Sequence, residues 1–187
     1  ENLTIIHGDL LEERWYWDEG YALVGNIPYN ISGLIIRRLT QLQIVPTCAI
    51  FLMQKEVAER IVYTDDSMSL PGLSVALWGT SELLLNVPPT CFIPAPAVHS
   101  ALIKIVPKPD MLPLQKREEI IACAKPFFQA KRKQIAHTLK SVHNLSAEQI
   151  ESVTTQANIS PTSRPENLSA ENWTALCDIL RTCPAAS

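Results

Sequence analysis

The chain has 187 residues, is 47% hydrophobic and carries a formal charge of −3. No apolar run approaches the ~20 residues that span a bilayer as a helix. No basic stretch followed by an apolar core opens the sequence, which argues against a secretory signal. The five cysteines (Cys48, Cys91, Cys123, Cys177 and Cys183) are scattered and form no C-x-x-C pair. They read as reduced, mostly buried thiols of a cytoplasmic protein, with no zinc site expected. The net charge hides an asymmetry: residues 1–103 sum to −6, residues 104–143 to +6 and residues 144–187 to −3. A basic middle in an acidic chain is the footprint of a polyanion contact, although a solvated helix face would look the same.

In chain order, Leu-Thr-Ile-Ile at residues 3–6 reads as a strand that ends at His7-Gly8-Asp9-Leu10. An acidic residue just past a strand suits the donor amine of a nucleotide-like ligand, or simply caps the next turn. Residues 21–25 form a short continuous apolar run, as a strand buried in a parallel sheet would. Asn26-Ile27-Pro28-Tyr29-Asn30 follows, and then a helical pattern over residues 33–42 with Ser32 as its N-cap. The five-residue motif therefore sits at the carboxyl end of a parallel strand, where open α/β sheets bind ligands. Its two amides donate and accept, and its aromatic ring offers a stacking face. The plain alternative is a strand-ending turn.

Residues 47–53 predict a third buried strand. The helix predicted over residues 54–62 pairs Lys55 with Glu59 at i,i+4 and turns Val57 and Ile61 inward. Residues 64–69 read as a polar loop, 73–78 as a helix and 82–87 as a strand. Four prolines crowd the nine residues from Pro88 to Pro96, which forbids helix and central-strand pairing and leaves a stiff loop presenting Phe92. Such a ring serves either as a base-stacking face or as a hydrophobic anchor for the loop. Residues 100–106 alternate and resume the sheet, and Pro107-Lys108-Pro109 reads as a linker.

Beyond it the pattern is helical. An amphipathic helix over residues 114–128 is interrupted at Pro126. Lys131-Arg132-Lys133 opens the next, with Ile135 and Leu139 inward. Ser146-Ala147-Glu148-Gln149 is a capping box. Ser169 caps a last helix that has Trp173, Leu176 and Leu180 at core spacing. The expected fold class is α/β over residues 1–107, followed by a small all-helical domain over residues 108–187.

Several of these segments together resemble one family, the ribosomal RNA adenine N6-dimethyltransferases. They are Asn26-Ile27-Pro28-Tyr29-Asn30-Ile31-Ser32, Gln54-Lys55-Glu56-Val57-Ala58-Glu59-Arg60, Gly72-Leu73-Ser74-Val75, and Phe92-x-Pro94-x-Pro96-x-Val98-x-Ser100. The segments Phe127-Phe128-Gln129-Ala130-Lys131-Arg132-Lys133 and Arg164-Pro165-Glu166-Asn167-Leu168 match the family's helical domain. The second and third favour the small-subunit branch over the large-subunit enzymes.

The resemblance implies a Rossmann-like methyltransferase sheet, S-adenosylmethionine as cofactor, and methylation of N6 on adjacent adenines of small-subunit ribosomal RNA within the immature 30S subunit, by a cytoplasmic monomer. By the same resemblance, Asn26 and the carbonyl of Pro28 accept hydrogen bonds from the target amine, and Tyr29 and Phe92 sandwich the flipped base. Asp9 and Leu10, with Asn26, face the cofactor. Lys131, Arg132 and Lys133 contact RNA phosphates. In-line methyl transfer needs positioning more than acid–base chemistry, in keeping with the lack of a His/Asp/Cys constellation.

The sequence departs from the family in specific places. The Gly-rich cofactor loop and the ribose-holding acid that precede Asp9 in the family are absent, along with the family's first two strands. The expectation is an N-terminally truncated chain with an incomplete sheet and no competent cofactor pocket. Ala97 and His99 stand where the family usually has Lys and Asp, and Pro71 where an aromatic is common. The alternatives are a non-catalytic RNA-binding assembly factor, a large-subunit ribosomal RNA methyltransferase and, less compatible with the helical tail and the Phe92 loop, a DNA adenine methyltransferase.

Overall fold

A computed structural model of the chain describes residues 3–12, 15, 20–62, 67–130 and 132–182. Lys131 and Cys183 lie outside the described residues. The first unit is a mixed sheet with helices on one face. Its strands are β1 (Ala22–Asn26), β2 (Cys48–Gln54), β3 (Gly79–Val87) and β4 (Ser100–Pro107), in the order β1-β2-β4-β3. β1 and β2 are parallel, with Asn26 opposite Leu52. β4 is antiparallel to both β2 and β3, and Ser100 pairs with Gln54 on one side and Val87 on the other. Helices α1 (Ser32–Thr40), α2 (Lys55–Ile61) and α3 (Leu70–Trp78) connect the strands.

Alternation along the strands decides what is buried. Ala49, Phe51 and Met53 of β2 share a face with Ala101, Ile103 and Ile105 of β4. They meet Ile35, Ile36 and Leu39 of α1, Ala58 and Ile61 of α2, and Val75 and Trp78 of α3 in one cluster. The opposite face is more open, with Lys104 and Glu82 paired across it at 3.2 Å. Gly79 is required where α3 turns directly into β3: a Cβ there would lie 2.2 Å from the carbonyl oxygen of Val106.

The second unit is helical: α4 (Leu114–Gln129), α5 (Ile135–His143), α6 (Ala147–Gln156) and α7 (Ala170–Thr182). Ile120, Phe127, Ile135, Leu139, Val153, Trp173 and Leu176 fill its core. The capping box expected at Ser146 forms, its hydroxyl accepting from Gln149 N–H while the Gln149 side chain accepts from Ser146 N–H. Ser169 caps α7 through Asn172 N–H at 3.2 Å. α3 is apolar but for Ser74, as a helix packed on two sides must largely be. Its Leu73 and Leu77 pack in the helical cluster, while its Val75 and Trp78 pack under the sheet.

Several expectations need correction. Residues 3–6 form no strand, and Leu3, Ile5 and Ile6 are exposed. An apolar run has strand propensity but is not a strand until it finds a ladder partner, and among the described residues it has none. The run at residues 21–25 does make β1, but as an edge strand rather than a buried one, with Val24 79% exposed. Ser32 is not an N-cap: a 3₁₀ turn at Tyr29–Ile31 precedes α1, whose cap is Ile31, and the Ser32 hydroxyl bonds back to the Pro28 carbonyl instead.

Pro126 does not interrupt α4, which runs through it for 16 residues. A proline there forfeits one backbone donor and, with a core on one side, the helix bears the cost. The basic triplet does not open α5. Arg132 lies in the turn before it with φ at 65°, and the cap is Gln134. Finally, Cys123 on α4 and Cys177 on α7 are paired as a disulfide, their Cα atoms 6.0 Å apart, where reduced thiols were expected. Linear spacing cannot register two cysteines that helix packing brings together. Cys91 is exposed and Cys48 half-buried, so the free thiols are not mostly buried either.

Candidate functional site

The sheet gathers the singled-out residues at one end. β1 and β2 run parallel, so their carboxyl ends, Asn26 and Gln54, lie side by side. β4 begins at that same end because Ser100 pairs with Gln54, and the residue 88–99 loop that precedes it therefore arrives there too. Ile27 is the anchor of the motif. Its N–H extends the β1–β2 ladder to Leu52 at 2.9 Å, and its side chain is buried in the sheet cluster. Gly25 makes room for that anchor, since a Cβ there would come 2.9 Å from Ile27 Cδ1 and 3.3 Å from Phe51 Cδ1. With Ile27 tied inward, Asn26 and Pro28 on either side are exposed, as the strand alternation requires.

Pro28 holds an extended backbone (φ −55°, ψ 134°) and starts the 3₁₀ turn. Its carbonyl accepts from Ile31 N–H at 3.1 Å and, at a long 3.4 Å, from the Ser32 hydroxyl. A carbonyl has two lone pairs, and 3.4 Å is beyond the ordinary O–H···O range. A ligand amine therefore competes with a weak bond for the second lone pair. Tyr29 is half-buried, and its hydroxyl shares a 2.7 Å hydrogen bond with Ser100 Oγ. This bond spans 71 residues and fixes the Tyr29 ring relative to the strand that ends the Phe92 loop. Phe92 is half-buried, its N–H bonded to the Pro89 carbonyl at 3.1 Å. Among the described residues the Tyr29 and Phe92 rings make no contact with one another, so neither ring fills the other's open face.

Asp9 and Leu10 are brought to the sheet by a different route. Asp9 Oδ1 accepts from Leu11 N–H at 2.8 Å, and its backbone carbonyl accepts from Glu12 N–H. That is the turn-capping role weighed as its alternative. Leu11 and Trp15 pack on the sheet cluster. Arg38 of α1 donates to the Leu11 carbonyl and lies over the Trp15 ring at 5.0 Å. The side chains of Asp9 and Leu10 themselves face solvent.

Arg132 and Lys133 lie far along the chain in the exposed turn between α4 and α5, and neither forms an ion pair among the described residues. No group of His, Cys, Asp or Glu suited to a metal ion occurs among the described residues, and none of their helices is long and apolar enough to cross a membrane.

Two clefts are lined by the helices. One, of about 500 Å³, separates α1 and α3 from α4 and is lined by Ile36, Arg37, Pro71, Arg117, Glu118 and Lys125. Arg117 is 6% exposed and donates Nε to the Leu112 carbonyl at 2.8 Å and Nη1 to the carbonyl of Thr40, the last residue of α1. A guanidinium on a helix C-terminus completes orphan carbonyls and offsets the dipole. Burial lowers its pKa, partly opposed by the charge of Glu118. The cleft is thus a joint between the two units. The other, of about 360 Å³, is lined by Cys123, His143 and Cys177 among others. Burial lowers the pKa of His143, which stacks on Phe127 at 5.7 Å.

Sequence reasoning assigned no role to Ser100, Gly25 or Arg38, and gave Ser32 a capping role in place of its bond to the Pro28 carbonyl. Ser100 alone had a signal, its place at the end of the Phe92-to-Ser100 motif. The others act through contacts that no spacing encodes.

A profile of the family described as "Ribosomal RNA adenine dimethylase" matches residues 1–182. A protein named ribosomal RNA small subunit methyltransferase A from Dehalococcoides mccartyi (strain CBDB1) is 34% identical over 181 residues, covering 94% of this chain and 62% of the relative. Its namesake from Synechococcus sp. (strain CC9902) is 38% identical over 185 residues, covering 92% of this chain and 67% of the relative. The chain thus spans about three-fifths to two-thirds of the length of these relatives.

Among solved structures, a dimethyladenosine transferase from Plasmodium falciparum superposes with a TM-score of 0.75 at 24% identity, covering 94% of this chain and 71% of that one. The 23S rRNA methyltransferase ErmE gives 0.70 at 20% identity, covering 95% and 71%. At those identities the likeness shows the fold, a methyltransferase α/β sheet with a helical unit. The family match over nearly the whole length, carried by relatives above 30% identity, settles the membership: this chain belongs to the ribosomal RNA adenine dimethylase family.

Proposed function

We propose that this chain carries the target-base side of an enzyme that transfers methyl groups from S-adenosylmethionine to N6 of adjacent adenines in small-subunit ribosomal RNA, during assembly of the 30S subunit in the cytoplasm. The observation that supports it best is the Tyr29–Ser100 hydrogen bond. It ties the Asn26–Pro28–Tyr29 turn to the strand that follows the Phe92 loop. Asn26 and the second lone pair of the Pro28 carbonyl hold the amine, which turns the nitrogen lone pair outward. The rings of Tyr29 and Phe92 hold the base from its two faces, as an extruded nucleotide requires. Arg132 and Lys133, with Lys131, supply sequence-independent phosphate contacts from the helical unit. The working division is residues 1–107 for methyl transfer and 108–187 for RNA binding, in a monomer.

The cofactor would supply an electrophilic methyl group. Asp9, Leu10 and Asn26 offer it one carboxylate, one apolar side chain and one amide. These do not amount to a pocket: all three are exposed, and one Asp9 oxygen is taken by Leu11 N–H. No glycine-rich loop occurs among the chain's six glycines. The described residues therefore fit the cofactor only at one rim, and no reaction step is drawn through it.

The test incubates the intact protein with immature small subunits and labelled S-adenosylmethionine and maps the modified bases. Labelled dimethyladenine in the small-subunit RNA is the expected result. Tight RNA binding without label would instead point to a non-catalytic assembly factor. Label confined to large-subunit RNA would move the assignment to that branch. In calorimetry, residues 1–187 alone should give no measurable heat with S-adenosylmethionine, and strong binding would refute the one-rim description.

A further inference from the structure

The loop that carries Phe92 has a surface at odds with an RNA-facing role based on charge. No Asp, Glu, Lys or Arg lies between Glu82 and Lys104. At the tip, Ile93 is 102% exposed, and Val98 is exposed at 42%. Pro88, Pro89, Pro94 and Pro96 fix φ on both sides of Ile93. The Cys91 and Phe92 N–H groups bond back to the Pro88 and Pro89 carbonyls, both at 3.1 Å. The tip is therefore a stiff apolar projection next to the base-holding ring. An aliphatic side chain held fully in water gains most by burial against another apolar surface, and the faces of RNA bases provide one.

We propose that Ile93 is a positioning residue that enters the base stack as the target adenine leaves it. The proposal rests on the reading of this site as one that extrudes an adenine. Extrusion leaves a gap that the neighbouring bases tend to close. An apolar wedge filling the gap opposes that closure, as it does where proteins unstack duplex steps. Phosphate attraction is left to the basic turn at Arg132 and Lys133. The loop tip then contributes to the extrusion equilibrium and not to the salt dependence of binding.

The test uses the intact protein, the variants Ile93→Ser and Ile93→Leu, and immature small subunits assembled on two versions of the same small-subunit RNA. In one the target adenine is stacked; in the other a neighbouring abasic residue leaves it already unstacked. Methyl incorporation gives kcat and KM, and 2-aminopurine at the target position reports extrusion by its fluorescence. Ile93→Ser should lower kcat/KM about tenfold on the stacked RNA and less than about twofold on the unstacked one. It should also lose the fluorescence rise while keeping the slope of affinity against salt. Ile93→Leu should stay within about twofold of the parent on both RNAs.

Equal losses on the two RNAs, or no loss on either, would overturn the wedge and leave adenine methylation standing. Failure of the parent protein to methylate either RNA would remove the methylation reading, and the wedge with it. The Ile93 side chain lies in solvent, so neither variant threatens the fold.

Discussion

β1 and β2 are near twins as sequence, two short apolar runs each leading into a helix, yet the protein treats them differently. Phe51 and Met53 of β2 are buried against three helices, while Val24 of β1 stands 79% exposed at the sheet's edge. The difference lies in neighbours. β2 is flanked by β1 and β4, whereas β1 pairs with β2 alone among the described residues. The strand that delivers the proposed target-base residues is therefore the less supported of the two. Beyond the parallel ladder with β2, the turn that follows this strand is held by the Ile27 N–H bond to Leu52, the Ile27 side chain in the core, and the Tyr29–Ser100 bond.

Five substitutions grade that contrast, each read as a shift of the urea midpoint of residues 1–187. Phe51→Ala empties the centre of the sheet cluster and should cost about 3–5 kcal/mol; a loss below about 1 kcal/mol would mean β2 is no better packed than β1. Gly25→Ala forces a Cβ against Ile27 and Phe51 and should cost about 1–3 kcal/mol. It should also weaken methylation by the intact protein, because displacing Ile27 displaces Pro28 and Tyr29.

Tyr29→Phe and Ser100→Ala remove the two halves of one hydrogen bond. Combined in a double-mutant cycle they should couple by about 1 kcal/mol. Additive effects would show that the bond does not hold the turn to β4. Val24→Ala should change stability by less than about 0.5 kcal/mol, and a larger loss would reveal an edge that is covered in solution.

Much of this was legible in advance, for reasons that separate local from distant effects. The strand-to-helix order, the Ser146 capping box and the inward positions Ile135, Leu139, Trp173 and Leu176 follow from periodicity and capping chemistry within a few residues. The family motifs pointed to the proposed target-base residues, and the chain's topology brings Asn26 and the Phe92 loop to the same end of the sheet. What escaped was set by partners remote in sequence. Whether residues 3–6 become a strand depends on an available edge, and whether Cys123 and Cys177 pair depends on how α4 meets α7. Whether Ser32 caps a helix or bonds to Pro28 depends on a 3₁₀ turn that inserts three residues of different pitch ahead of it. Arg132 illustrates the same point on a smaller scale: its charge was evident, but its left-handed backbone, which takes the triplet out of the helix, was not.

α3 has a consequence for anyone who would divide the molecule. Leu73 and Leu77 belong to the helical core and Val75 and Trp78 to the sheet core, so one nine-residue segment is structural property of both halves. Heating should therefore melt them in a single cooperative transition, with the two halves reporting the same midpoint by any probe. A cut at residue 107 would strip the helical half of Leu73 and Leu77 and leave an apolar scar around Ile120 and Phe127. As a transplantable RNA-binding module, the helical half would have to begin at α3, carrying with it a helix whose other face has lost its sheet.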